Sequence, residues 1–362
     1  VLSTSMATVM NPFNLEHPDY KDQVAAWSKM EDLYMGSDAV KGKGQEYLYP
    51  TVTEESEMAK AGVGTQKSTT YSRRLKWSVF FNGVSRLTRY AMGHVFRVPP
   101  KFEGDELPRF DEISRDCDLM GTPLASFIRA EADRSYVMGH CLVMVDFPNM
   151  SGVDSRSVQK IVNPRPFLVL VDPREIINWS ISRSLDGTYE FDWVVHRYSL
   201  WESAGPGESH TLVVYYKVWK KDGWELWKVV AQSESDDLNK LNPVLHSEGN
   251  NPLGQVPYVT FYSNFIRPMV SLPPLTEAAD INVNHYNVFS ALLQGLRHHL
   301  NPLFVTIGTQ DTVVKRDADS GLALPRNGDA KYVETTGNGL KIGLETSDRI
   351  AMEMWEAGMR SS

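Results

Sequence analysis

Apolar and polar positions follow three successive patterns along this chain. Tyr20, Val24, Trp27, Glu31 and Tyr34 recur at helical spacing and predict a helix from about Asp19 to Met35, with Gly36 placed for a C-terminal cap. A Gly- and Lys-rich loop is expected next, then a helix from Thr70 to about Met92. Thr122-Pro123 opens a further helix to Met138, because Thr can cap and Pro is tolerated at the first helical position. The pattern changes at Cys141, where Leu142, Val143, Met144 and Val145 form a short apolar run of the kind a buried strand shows. β-prone segments then recur at Phe167 to Val171, Ile176 to Ile181, Tyr189 to Tyr198, Thr211 to Trp219, Trp224 to Val230 and Val256 to Tyr262. Asp186-Gly187 and Asp222-Gly223 between them predict tight hairpins with positive φ.

The third pattern starts at Pro273-Pro274. Thr276 is placed to cap a helix that runs to Leu300, stopped by Asn301-Pro302 and about 36 Å long at 1.5 Å rise per residue. Ile281, Val288, Leu292, Leu296 and Leu300 form one apolar stripe on it. Asn284, Asn287, Gln294 and His298 share another face, polar and without formal negative charge. Residues 303 to 343 return to short strands and Gly turns, and a helix is expected from Ser347 to Met359. The fold class is therefore α+β.

The chain of 362 residues is 42% apolar and 23% charged, which excludes disorder and small disulfide scaffolds and allows two or three structural units. A net charge of −8 disfavours holding nucleic acid through a general basic excess. Cys117 and Cys141 form no CxxC motif and no zinc spacing, so buried, reduced thiols are expected. No charged and apolar leader opens the sequence and no run suits a membrane span. Asn149-Met150-Ser151 and Asn178-Trp179-Ser180 match the glycosylation pattern without a signal peptide to support it.

Most candidate chemical motifs fail on their spacing. Gly62 to Ser68 lacks the Gly that a phosphate loop needs before Lys67, and reads as a flexible loop. Asp317, Asp319 and Gly321 resemble half a calcium loop whose twelfth position is Gly328 rather than Glu. Adjacent His298 and His299 point about 100° apart on a helix and cannot share a metal. No catalytic signature is present, and Asp146, Asp172 and Glu175 are the carboxylates that an enzyme of nucleic acid or sugar would use. The structural account is that Asp146 and Asp172 end strands before Pro and hydrogen-bond turn amides, while Glu175 pairs with Arg174 or Arg165. Lys67 to Arg97 is the most unusual stretch: Lys67, Arg73, Arg74, Lys76, Arg86, Arg89 and Arg97 occur without one Asp or Glu. Ion pairing between elements or subunits and contact with DNA both fit it.

Collinear features over about 300 residues resemble the portal proteins of tailed bacteriophages, in a branch catalogued as a domain of unknown function. They include His17-Pro18-Asp19-Tyr20 with Trp27, Asp32 and Gly36, and Tyr47-Leu48 followed by Pro50, with Tyr49 as an extra residue. Tyr71, Arg74, Phe80, Asn82, Arg89, Gly93, Val95-Phe96-Arg97 and Pro99-Pro100 resemble the next block. Val145 to Pro148, Arg165-Pro166 and Glu175 to Trp179 resemble its sheet segments; Pro273-Pro274-Leu275, Asp280, Asn282, His285-Tyr286 and Pro302 resemble its long helix.

The resemblance implies a portal fold with a mixed helical and antiparallel-sheet wing at 1–270, helical to about 140 and β-rich from 141. A first stem helix at 271–302, a small β-rich clip at 303–343 and the start of a second stem helix at 344–362 follow. Tunnel loops and crown find no counterpart before Ser362. It implies a non-enzymatic homo-oligomeric ring, usually of twelve subunits, at one capsid vertex of the virion, assembled in the host cytoplasm. Double-stranded DNA passes through, the terminase large subunit docks during packaging and neck or adaptor proteins afterwards, with the major capsid protein around the ring. No cofactor, metal or membrane is implied; a different neck or tail connector is the nearest alternative. On this template Asn284, Asn287, Gln294 and His298 line the channel. Arg73, Arg74, Arg86 and Arg89 face a neighbouring subunit or DNA. Lys315, Arg316, Arg326 and Lys331 lie in the clip, where terminase or adaptor docks.

Overall fold

A computed structural model describes residues 11–60, 69–102, 109–148, 164–203, 205–231, 237–300, 303–307, 328–333 and 337–360. The phosphate-loop-like segment, the calcium-like half-loop, Asn149-Met150-Ser151, Lys315, Arg316 and Arg326 lie outside these residues. The chain is α+β and divides into two compact units. One comprises residues 1–34, 86–276 and 361–362, the other 35–85 and 277–360. Residues 35–85, within the expected wing, group with the C-terminal elements.

The first unit holds most of α1 (Pro18–Met35) and α5 (Gly83–Val95), together with α6 (Phe110–Arg115) and α7 (Leu124–Met138). Helix α7 begins after Pro123, which sits at the cap position without a side-chain cap bond, so Thr122 does not cap it. Strand β1 (His140–Asp146) lies between β2 (Phe167–Val171) and β8 (Tyr258–Tyr262) in an antiparallel three-stranded sheet. Its five buried leading residues explain the continuous apolar run in the sequence.

A five-stranded antiparallel meander runs β3 (Ile176–Arg183), β4 (Tyr189–Glu202), β5 (Thr211–Lys220), β6 (Gly223–Ala231) and β7 (Val244–Asn250). The Asp186-Gly187 turn has the expected positive φ at Gly187. Gly223 does not adopt positive φ; a Cβ there would lie 2.8 Å from the Gly249 carbonyl oxygen, so close approach of β7 is what requires glycine. Strand β7 has exposed Val244, Leu245 and His246, and the residues that then alternate in exposure, Ser247 to Asn250, include no apolar side chain, which is why the sequence did not reveal it. A short hairpin of β9 (Phe265–Arg267) and β10 (Val270–Ser271) completes the unit.

The core of this unit is built on Trp27, Leu33, Met138, Leu142, Ile176, Ile177 and Tyr216, all nearly inaccessible. Beside it, Arg134 pairs with Glu31 and Asp172, and Arg174 with the same two carboxylates. Burial alone would raise the Asp172 carboxyl, but the two guanidinium groups hold it below its ordinary value.

The second unit contains α2 (Ser37–Lys43), α3 (Val52–Lys60), α4 (Thr69–Trp77), α8 (Thr276–Leu300, from Glu277), strands β11 (Leu303–Ile307) and β12 (Asp329–Val333), and α9 (Asn338–Arg360). The single helix expected over 70–92 is broken between Trp77 and Gly83. There Asn282 of α8 accepts from the Gly83 N–H (3.0 Å) and donates to the Phe81 carbonyl (2.8 Å), replacing helical bonds. The expected Gly- and Lys-rich loop is mostly α2. Gly36 follows α1 directly with the positive φ (94°) that a C-terminal cap calls for, and it also stands at the N-cap position of α2. Strands β11 and β12 pair antiparallel. Helix α9 starts at Asn338, so the last expected helix begins nine residues early and the segment ending at 343 is shorter.

Candidate functional site

Helices α8 and α9 run antiparallel and in contact. His285 Nε2 lies 3.2 Å from Ser347 Oγ, a Cβ on Gly343 would lie 2.9 Å from Leu292 Cδ1, and one on Gly295 would lie 3.2 Å from Leu340 Cδ2. The glycines ease this approach: a Cβ at 343 would require the end of the Leu292 side chain to move, and one at 295 a smaller shift of Leu340. The apolar stripe of α8 thus packs on α9 through Leu292, whereas Leu296 and Leu300 remain 40% and 68% exposed.

The other side of α8 faces α3 and α4. Arg74 is buried and donates from Nε and Nη2 to the Glu54 carboxylate (2.9 and 2.8 Å), from Nη2 to the Tyr49 carbonyl (2.6 Å) and from Nη1 to Ser290 Oγ (3.3 Å). Glu54 also accepts from the Thr51 N–H at the start of α3. Burial pushes the Glu54 carboxyl up; the hydrogen bonds from Arg74 and Thr51 outweigh it and hold the group below its ordinary value. Arg74 therefore pairs between elements of its own chain, where the resemblance had it face a neighbouring subunit or DNA. Arg73, Arg86 and Arg89 lie on exposed positions.

Four α8 residues carried the channel expectation, and three of their side chains are described. Asn284 is exposed. Asn287 is engaged within its chain: it donates to the Tyr47 and Val283 carbonyls (2.7 and 2.9 Å) and accepts from the Tyr49 N–H (2.9 Å). A helical face read from spacing alone cannot reveal that a turn 238 residues away in sequence takes up this amide. Replacing Asn287 by Ala strands a backbone N–H and a carbonyl in the Tyr47–Tyr49 turn, and should cost about 1–2 kcal/mol in a denaturant titration. Gln294 lines a groove of about 460 Å³ between α4 and α8 together with Arg73, Trp77, Leu293 and Arg297. The Arg297 guanidinium lies 3.7 Å from the centre of the Trp77 ring. The strip of α8 that meets solvent beside Asn284 consists of Glu277, Asp280 and Ala291, so it is more acidic than the sequence reading supposed. Lys331 is exposed on β12.

The carboxylates of the enzyme alternative are dispersed among structural bonds. Asp146 accepts from Lys217 Nζ (2.6 Å) and the Phe147 N–H (2.9 Å). Asp172 accepts from the Arg174 N–H (2.9 Å), and Glu175 from the Asp172 N–H (3.1 Å). Arg165 pairs with Asp116 and Arg174 with Asp172 and Glu31, while Glu175 lies beside His196, so the pairing expected for Glu175 is formed by neither arginine. Asn178 donates to the Leu15 carbonyl from within β3. Among the described residues no cluster of three His, Cys, Asp or Glu side chains could hold a metal, and no helix is long and apolar enough to cross a membrane.

Residues 274–361 match the model of a family described as "Domain of unknown function (DUF4055)". The matched span runs from the start of α8 to the end of α9. No curated protein matches the chain. Among solved structures, the chain is similar to one in "Virion of native gene transfer agent (GTA) particle", with a TM-score of 0.40 and 14% identity over 85% of this chain and 73% of that one. It is also similar to one in "Neck of empty GTA particle computed with C6 symmetry", with a TM-score of 0.39 and 14% identity over 85% and 74%.

Proposed function

We propose that this chain is the portal subunit of a tailed bacteriophage, a structural and non-catalytic protein. Copies form a ring, of twelve subunits on the family template, at one capsid vertex of the virion, having assembled in the host cytoplasm. Double-stranded DNA is packaged and ejected through its channel. The terminase large subunit docks on it first and neck or adaptor proteins later, with the major capsid protein as its surround.

The observation that carries this reading is the order of elements in the second unit: a long helix, a two-stranded antiparallel hairpin, and a second long helix returning antiparallel to the first. That is the stem, clip, stem sequence which the motif resemblance implies. The exposed strip of Glu277, Asp280 and Asn284 supports a lumen-facing role for this side of α8. A conduit works best without cations there, since each phosphate neutralised releases counterions and adds affinity that translocation must break. Lys331, on β12, belongs to the docking end.

Electron microscopy and native mass measurement of the full chain test the reading: a closed ring with a central hole is expected, and compact monomers would refute it. Changing Asn284 and Ala291 to Arg should leave rings intact and slow DNA passage, most at low salt. Passage at the wild-type rate in low salt would remove α8 from the lumen.

A further inference from the structure

We propose that the outer edge of β8 receives residues 1–10 of a second copy of this chain as an added strand. The inference rests on the ring reading and names one contact that builds it. Two bonds fix which way the β8 backbone faces: the Val145 N–H donates to the Pro257 carbonyl (2.9 Å) and the Ser263 N–H to the Gly139 carbonyl (3.0 Å). Bonded residues alternate along an antiparallel ladder, so Val259 and Phe261 turn their backbone groups to β1 while Thr260 and Tyr262 turn theirs away. On that side β8 is the edge of its sheet. The outward groups of Thr260 and Tyr262 make no backbone bond among the described residues. Another strand is what completes such an edge.

Beside this edge lies a cavity of about 350 Å³, walled by Val259, Thr260 and Tyr262 on one side and by Ile181, Tyr189 and Phe191 of the β3–β4 hairpin on the other. Val259 is 54% exposed, as is the neighbouring Phe265 at 55%. Glu190 is the one charged residue of the lining, and Lys221 already lies 3.4 Å from it. The site therefore suits an extended, uncharged segment with apolar side chains at alternate positions. Of the stretches outside the described residues that are longer than two residues, 1–10 alone lacks charge, Gly and Pro. At the two-residue spacing of a strand, Leu2, Met6 and Met10 share one side, with Thr4 and Thr8 between them. The segment leaves from a fixed point: Asn11 donates to the Leu238 carbonyl (3.3 Å), and the Phe13 ring lies 4.8 Å from that of Trp227. Ten residues reach at most about 35 Å from there. Segment and edge are different surfaces, so the contact is head-to-tail, and rotation repeats it until a ring closes.

A photoreactive amino acid in place of Met6 in the full chain tests this. Irradiation should give a ladder of covalent multimers on a denaturing gel, with the new bond mapped by mass spectrometry to residues 258–262 of a second copy. Thr260→Pro removes the outward N–H and no bond to β1, so it should abolish the ladder. A synthetic peptide of residues 1–10, titrated into dilute full chain, should bind about tenfold more tightly to the wild type than to Thr260→Pro. A cross-link within one chain, or to a segment other than β8, would overturn the inference, as would equal affinity of the peptide for both proteins. Rings whose cross-link maps elsewhere leave the ring reading standing. A chain that binds the peptide at β8 yet never exceeds a monomer removes the ring reading instead.

Discussion

Removing either partner of the Arg74–Glu54 pair should lower stability by roughly 3–5 kcal/mol, because it leaves the other charge buried without a counterion. Glu54 is fully inaccessible and Arg74 is 7% exposed, so water cannot replace the lost partner. Arg74→Met also strands the Tyr49 carbonyl, while Ser290 keeps its bond to Ser78, and Glu54→Leu frees the Thr51 N–H at the start of α3. Replacing both residues, Arg74→Met with Glu54→Leu, should recover most of the loss, since an apolar pair of similar volume needs no desolvation of charge. Chemical denaturation of the two single variants and the double variant measures this. Single variants that unfold at the wild-type midpoint would show that the pair is not buried as described. The Glu54 carboxyl is held below its ordinary value, so the stability it provides is complete above the unfolded-state range and is lost as pH falls through the folded value.

The same pair shows where sequence reading succeeds and where it stops. The absence of carboxylates from Lys67 to Arg97 flagged these arginines as needing partners elsewhere, and for Arg74 the partner is Glu54 on the preceding helix. Spacing could not choose that carboxylate, because the choice depends on how α3 and α4 meet. Element type was legible wherever periodicity was strong: α1, α7, α8 and most strands lie within a few residues of expectation. The misreadings have local causes. The 70–92 stretch reads as one helix because its composition suits a helix throughout; the second helix begins where Asn82 accepts from the Ser85 N–H as a local cap and Asn282, far along the chain, bonds the Phe81 carbonyl and the Gly83 N–H. The first turns of α9 escaped the sequence reading because Gly339 and Gly343 lower intrinsic helix propensity, while packing of Gly343 against Leu292 of α8 favours the helix there. On α8, sequence spacing grouped Asn284, Asn287 and Gln294 as one polar face. Packing separates them into a solvent-exposed residue, a fastener of the Tyr47–Tyr49 turn and a groove wall.

Acidification from pH 7 to pH 5 should weaken the first unit through His140 by about 2 kcal/mol, from 1.36 kcal/mol per unit of pKa difference. His140 is fully buried at the start of β1, with Nδ1 2.6 Å from Ser271 Oγ and the Trp27 ring edge-on at 5.5 Å. Its Nε2 has no hydrogen-bond partner among the described residues, so a proton added there would create a buried charge with nothing to receive it. Burial accordingly pushes the imidazole down to about 4 from 6.5, with Asp172 opposing only weakly. Above pH 6.5 both folded and unfolded chains carry neutral imidazole and the full stability is present. Between 6.5 and about 4 the unfolded chain takes up a proton that the folded chain refuses, so stability falls with pH across that window. His140→Gln removes the titration and should flatten the slope of unfolding free energy between pH 7 and 5, even where it lowers the absolute value. An unchanged slope in the variant would place the acid sensitivity in other groups and refute the buried neutral imidazole.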